Sequence, residues 1–185
     1  MNTKLTHIPI IILLVSTQLA SAPTATSELL KMRQANERWI EAIVSYDGYK
    51  KLLRQTSSEN TLAIVRLIET SEYPEMIRAI IEVESSWRVK ARSHRDARGL
   101  MQIRPIAARQ VDPALPPDKL FDPVVNVAIG IQIFQDHMEY FMGYDDPEMW
   151  ALTSYNRGRS GTFALDMQPP DTRYSRKVLH RIDEM

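Results

Sequence analysis

The chain has 185 residues, 44% of them hydrophobic, which is enough for one domain with a real core and a short extension. Lysine plus arginine and aspartate plus glutamate number 23 each, so no net field steers a polyanion and a general nucleic-acid-binding role is disfavoured. The absence of cysteine excludes disulfides, thiolate catalysis, a cysteine-based zinc site and a bacterial lipoprotein anchor, and leaves the redox compartment open.

At the N-terminus Lys4 precedes the apolar run Ile8 to Val15, which is too short to cross a bilayer, and Ala20-Ser21-Ala22 offers small residues at cleavage-site spacing. The pattern predicts a signal peptide over 1–22, export to the periplasm or cell envelope, and no stable membrane span afterwards. Pro23 disfavours cutting directly after Ala22, and an uncleaved interfacial anchor is the alternative. A small, polar linker follows from Pro23 to Ser27. Ser27 is placed to cap a helix carrying Leu29, Leu30, Ala35, Trp39, Ile40 and Ile43, which ends before Asp47-Gly48, read as a turn. A short helical piece, Tyr49 to Arg54, and a helix bearing Leu62, Ile64, Val65, Leu67 and Ile68 complete a predicted helical extension over 23–72.

Pro74 suits a first helical position and Glu75 suits the positive end of the helix dipole, so a helix is predicted from Pro74 to Trp87. On a wheel of roughly 100° per residue, Met76, Ile77, Ala79, Ile80, Ile81, Val83 and Trp87 form an apolar arc. Arg78, Glu82 and Ser85 lie opposite, with Arg78 and Glu82 spaced as an i,i+4 pair. Glu84 falls inside the arc. A carboxyl held against apolar groups keeps its proton more readily, which suits a general acid. The alternative is a boundary residue whose charge reaches water or a nearby arginine.

Residues 88–109 carry Arg88, Lys90, Arg92, Arg95, Arg98, Arg104 and Arg109 against Asp96 as the one acid, either a solvated face or a local attraction for an anionic polymer. Prolines 105, 113, 116, 117 and 123 impose an irregular crossing. Val124 to Met142 reads as a long helix, with Asn126 and Gly130 four apart. A glycine inside a helix costs about 1 kcal/mol relative to alanine, so Gly130 is expected to admit a close approach. Asp146-Pro147 starts another helix through Ser154-Tyr155-Asn156-Arg157-Gly158, and Gln168-Pro169-Pro170 leads to a last helix from about Asp171. No period-2 run bounded by a hairpin turn occurs, and the fold class is all-α or mainly α.

The four histidines, His7, His94, His137 and His180, show no paired-ligand spacing, so no metal site and no cofactor are predicted. No phosphate-cradling glycine loop and no nucleophile elbow is present. Glu84-Ser85, Ala91-Arg92-Ser93, Ala97-Arg98-Gly99-Leu100-Met101-Gln102, Leu120-Phe121-Asp122-Pro123, Asn126-x-x-x-Gly130 and Ser154-Tyr155-Asn156-x-Gly158 stand in the order and spacing of the soluble lytic transglycosylase catalytic domain, which this chain resembles over about residues 73–179. Asp171-Thr172-Arg173-Tyr174 looks like that family's closing Glu-Thr-Arg-x-Tyr.

The resemblance implies a lysozyme-like fold related to goose-type lysozyme, in a catalytic domain over 73–185. It implies cleavage of the β-1,4 bond between N-acetylmuramic acid and N-acetylglucosamine in peptidoglycan, without water, to leave a 1,6-anhydromuramoyl end. Glu84 matches the sole catalytic carboxylate, acting as acid and then base. Tyr155 matches a tyrosine that hydrogen-bonds that glutamate. Ser93, Met101, Gln102, Asn126, Asn156 and Tyr174 match substrate-side positions, with Asn156 expected to fix the Tyr155 turn. Asp96, Ser154, Arg157 and Asp171 depart from the family pattern. Asp96 is read as a left-handed turn residue and as the nearest candidate for a second carboxylate. Expected partners are peptidoglycan glycan strands and, because the chain has no room for a large wall-binding domain, an envelope secretion or conjugation machinery. The rivals are a hydrolytic muramidase, a catalytically silent glycan-binding scaffold and a basic-patch nucleic-acid binder.

Overall fold

The computed structural model describes residues 37–166 and 170–185. The signal-like run, the linker, the Ser27 cap and Gln168-Pro169 lie outside them. Two compact units divide the chain, Met1–Glu41 and Ala42–Met185. In the first, residues 37–41 are helical, with the Arg38 guanidinium 5.0 Å from the centroid of the Trp39 ring. The second contains every site residue discussed below, and the predicted boundary at 72/73 falls inside it.

The second unit comprises α1 (Asp47–Leu53), α2 (Ser58–Glu69), α3 (Pro74–Ser85), α4 (Pro105–Val111), a 3-10 turn (Pro117–Phe121), α5 (Pro123–Phe141), α6 (Pro147–Arg157), α7 (Arg159–Phe163) and α8 (Arg173–Asp183). No strand is formed among the described residues. The loop from 91 to 103 is instead closed by two isolated antiparallel bridges, Arg92 to Arg98 and Arg98 to Ile103. The fold is thus mainly α, as the apolar periodicity required.

Helix starts follow local chemistry. Proline occupies the first turn of α3, α5 and α6, where its missing N–H breaks no bond. Ser57, Asp122 and Asp146 accept hydrogen bonds from the first-turn amides of α2, α5 and α6. Thr172 and Ser175 form a reciprocal capping box that starts α8 slightly later than the predicted Asp171. Asp47 and Gly48, expected as a turn, are the first residues of α1. Gly48 is buried against the Trp87 indole, so tertiary contact rather than turn propensity decides its conformation.

The long α5 packs against α6, α2, α4 and the 3-10 turn, while α3 lies against α8 and α2, and α8 touches α6. Ile77, Ile80 and Ile81 of α3, Val127 and Phe134 of α5, Leu152 of α6 and Val178 of α8 are all buried in the shared core. Full burial of such a side chain contributes about 1.5–3 kcal/mol.

Three details of the α3 wheel are corrected. The helix stops at Ser85, because Ser86 (φ 51°) and Trp87 (φ 66°) are both left-handed, although Trp87 is buried as its place in the arc requires. Ser85, assigned to the polar side, is also buried, its hydroxyl donating to the Ile81 carbonyl at 3.1 Å. Arg78 pairs with Glu69 at 2.6 Å instead of Glu82, which takes Lys51 at 3.4 Å and Arg181 at 3.2 Å. Contacts from other helices override the i,i+4 pair, which is worth only about 0.2–0.5 kcal/mol.

Candidate active site

Glu84 occupies the last turn of α3, with Ser85 the final helical residue. It is half-buried, and that burial raises its pKa above the ordinary carboxylate value, opposed in part by the Tyr174 hydroxyl and the Lys177 ammonium. No other carboxylate contributes to its shift. Both opposing groups come from the first two turns of α8, and their i,i+3 spacing puts them on one face.

Two phenols flank this carboxyl. Burial and the charge of Glu84 push both Tyr155 and Tyr174 well above the usual tyrosine range, so both stay protonated and able to donate. Their partners differ from expectation. Tyr155, on the last turn of α6, donates to the Met101 carbonyl at 2.8 Å and senses Glu84 only through the carboxylate's charge. The Tyr174 hydroxyl is buried without a hydrogen bond of full geometry, yet it senses Glu84 through both charge and partial hydrogen bonding. The partner assigned to Tyr155 is therefore corrected: Tyr155 holds the 99–103 loop, and Tyr174 faces Glu84.

That loop is anchored from beneath by Asn126. Its side chain is fully buried in α5, accepting from Met101 N at 2.8 Å and donating to the carbonyls of Arg98 at 2.8 Å and Leu120 at 2.9 Å. A buried amide with these three bonds has no free face for sugar, so Asn126 supports the loop and is not one of its walls. Met101 is likewise fully buried, its side chain filling the space beside Gly130. The close approach expected at Gly130 is real, and the visitor is Met101 rather than substrate.

Gln102 is partly exposed and left-handed (φ 49°), with Nε2 donating to the Gly99 carbonyl at 2.9 Å. Among the described residues its Oε1 accepts no hydrogen bond. Ser93 is also partly exposed, but its hydroxyl accepts from the amides of Arg95 at 3.2 Å and Ala97 at 3.0 Å and so builds the turn. Asn156 is exposed, and among the described residues its side chain makes no hydrogen bond that would fix the Tyr155 turn.

Asp96 is left-handed (φ 59°), as a turn residue should be. Its carboxylate pairs with Arg92 at 2.8 Å and Arg98 at 2.9 Å, and the hydrogen bond from Arg98, with that from Arg92 behind it, holds its pKa below the usual value. Arg98 is itself buried, pairs with Asp118 at 2.8 Å and stacks over Phe121. Part of the basic stretch is thus internal architecture. Among the described residues, no group of three or more His, Asp or Glu side chains is placed to hold a metal ion.

The sequence reading did not single out Lys177. Its spacing from Tyr174 on an amphipathic last helix was the available signal, but that α8 turns this face toward Glu84 follows only from its packing on α3.

A mainly helical, lysozyme-like fold that presents one half-buried carboxyl between two protonated tyrosines defines the class. Residues 61–164 match the transglycosylase SLT domain, and the chain belongs to that family. Among solved structures, the lytic transglycosylase Slt of Pseudomonas aeruginosa, determined as an inactive glutamate-to-glutamine mutant, matches with 23% identity and a TM-score of 0.54, over 65% of this chain and 22% of that one. The 70 kDa soluble lytic transglycosylase of Escherichia coli matches with 19% identity and a TM-score of 0.45, over 85% of this chain and 29% of that one. The likeness to the first supports the fold, and the matched region is less than a third of either protein.

Proposed function

We propose that this domain is a peptidoglycan lytic transglycosylase that cleaves the β-1,4 bond between N-acetylmuramic acid and N-acetylglucosamine without consuming water. The observation that carries this reading is the isolation of Glu84: it is half-buried, its pKa is raised by burial, and the groups acting on it are Tyr174 and Lys177. Glycosidases of the usual two-carboxylate kind need a second acid to activate water or attack the sugar. The candidate for that role, Asp96, is paired with two arginines inside its own turn.

In this mechanism protonated Glu84 gives its proton to the glycosidic oxygen as the bond from C1 to that oxygen breaks, the bonding electrons leaving with the N-acetylglucosamine hydroxyl. The muramoyl C6 hydroxyl oxygen then bonds to C1, and its proton passes to the Glu84 carboxylate. The enzyme ends protonated as it began, and the product is a 1,6-anhydro ring. One group serves as acid and then base when its pKa lies near the working pH, which the burial of Glu84 favours. A hydrogen bond from Tyr174 to Glu84 would steady the carboxylate between the two steps. Gln102, whose amide oxygen accepts no hydrogen bond among the described residues, and Ser93 are assigned to the saccharide side by their match to the family motifs.

The Ile8 to Val15 run with Ala20-Ser21-Ala22 supports export, which puts the enzyme in the compartment of its substrate. As part of the same proposal, the enzyme opens local gaps for an envelope-spanning secretion or conjugation apparatus. Co-purification with that apparatus from solubilised envelopes tests this part.

The test of the chemistry is digestion of purified sacculi by the protein lacking residues 1–22, beside Glu84→Gln, with mass spectrometry of the fragments. Anhydro ends that vanish in Glu84→Gln are expected. Reducing ends would refute the non-hydrolytic reaction in favour of a muramidase, and binding without soluble product would refute catalysis.

A further inference from the structure

The helix that carries Glu84 ends at the next residue, and the chain then passes through two consecutive left-handed residues, Ser86 and Trp87. Side-chain-bearing residues in that region cost roughly 1–2 kcal/mol each, so such a turn persists only where its surroundings over-determine it.

Those surroundings come from residues 46–55, which precede the family-matched stretch of 61–164. Trp87 is fully buried, with Tyr46 and Tyr49 set edge-on to it at centroid distances of 5.6 and 5.4 Å. Gly48 sits so close to the indole that a Cβ there would collide with it. The Gln55 side chain brackets the turn, its Nε2 donating to the Trp87 carbonyl at 2.8 Å and its Oε1 accepting from Val89 N at 3.1 Å. Lys51 reaches Glu82, half a turn before Glu84, at 3.4 Å. Aromatic packing, a glycine-only approach, two backbone hydrogen bonds and an ion pair all converge on residues 82–89. The loop at 99–103 is held separately, by Asn126 and Tyr155.

We infer that residues 46–55 form a positioning clamp for the acid, fixing the left-handed turn after Ser85 and through it the reach of Glu84 toward the scissile oxygen. The inference rests on Glu84 being the acid. Gly48, Gln55 and Trp87 are positioning residues in this account and touch no substrate. Because proton donation is completed only in the transition state, loosening the clamp lowers kcat, while the separately held walls keep KM.

The experiment compares Gln55→Ala and Gly48→Ala with the parent and with Glu84→Gln on soluble glycan strands, at a temperature where circular dichroism shows each protein folded. Gln55 is exposed on its outer side, so its replacement leaves the core intact. A misplacement of about 1 Å can cost up to 100-fold in rate, so a fall in kcat of roughly tenfold is expected for Gln55→Ala, with KM within about twofold. Gly48→Ala, which displaces Trp87 directly, should fall further. Unchanged kcat per folded molecule in Gln55→Ala while Glu84→Gln is inactive would overturn the clamp and leave the acid in place, as would a rise in KM at constant kcat. Retained activity in Glu84→Gln would overturn the acid and the clamp with it.

Discussion

Replacing Asn126 with alanine separates a supporting amide from a sugar-binding one. The side chain makes three buried hydrogen bonds, and its removal leaves the Met101 N–H and the Leu120 carbonyl without partners, while the Arg98 carbonyl keeps its bond from Ile103 N at 3.0 Å. A buried donor left unpaired costs about 1–3 kcal/mol and a carbonyl about 1 kcal/mol, which together give about 3 kcal/mol. At roughly 2–4 °C per kcal/mol for a domain of this size, Tm should drop by about 6–12 °C in a thermal scan followed by circular dichroism. Asn126→Asp should be at least as harmful although it is nearly isosteric, because it turns an oxygen toward the carbonyls of Arg98 and Leu120 and must either stay charged in the core or take up a proton. Near-native Tm for both variants, with KM for glycan strands raised several-fold, would refute this reasoning and return Asn126 to the substrate.

Three further outcomes are expected. Glu84→Gln should abolish cleavage yet gain stability at neutral pH. The folded-state pKa of Glu84 is raised, so the folded protein binds this proton more tightly than the unfolded chain, and the wild type loses stability as pH rises from about 4.3 through the raised value. The Tm advantage of Glu84→Gln should therefore open over that window and be absent below it, as parallel scans at several pH values will check. Tyr174→Phe removes a group that lowers the Glu84 pKa, so the alkaline limb of kcat should move to higher pH; because its hydroxyl lacks a formed bond, Tm should change by less than that of Tyr155→Phe, which loses a 2.8 Å bond worth about 1 kcal/mol. Gly130→Ala should cost about 1–3 kcal/mol in urea unfolding and reduce activity, because its Cβ would press on Met101 and push the 99–103 loop.

Two helix starts were legible in the sequence because they rest on local chemistry: Pro74 and Asp146-Pro147 each act within one turn. The anomaly of Glu84 was legible for a similar reason, since an apolar arc at helical spacing is a one-dimensional pattern. Partners across the fold were not. A wheel cannot know that Arg78 has Glu69 within reach, or that Ser85 is buried.

What the sequence determined by itself, then, is a mainly α chain of this family with one carboxyl on an apolar face, because periodicity, caps and motif spacing are local properties. Tertiary structure decided the division of labour around that carboxyl. It buried Asn126 and Met101 beneath the loop, gave the Tyr155 hydroxyl to the Met101 carbonyl, and brought Tyr174 and Lys177 to Glu84 by laying α8 on α3. It also placed Gly48 and Gln55 against the turn that ends the Glu84 helix. The physical reason is that hydrogen bonds and burial depend on which groups meet in space, and these pairs lie between 25 and 93 residues apart in the chain.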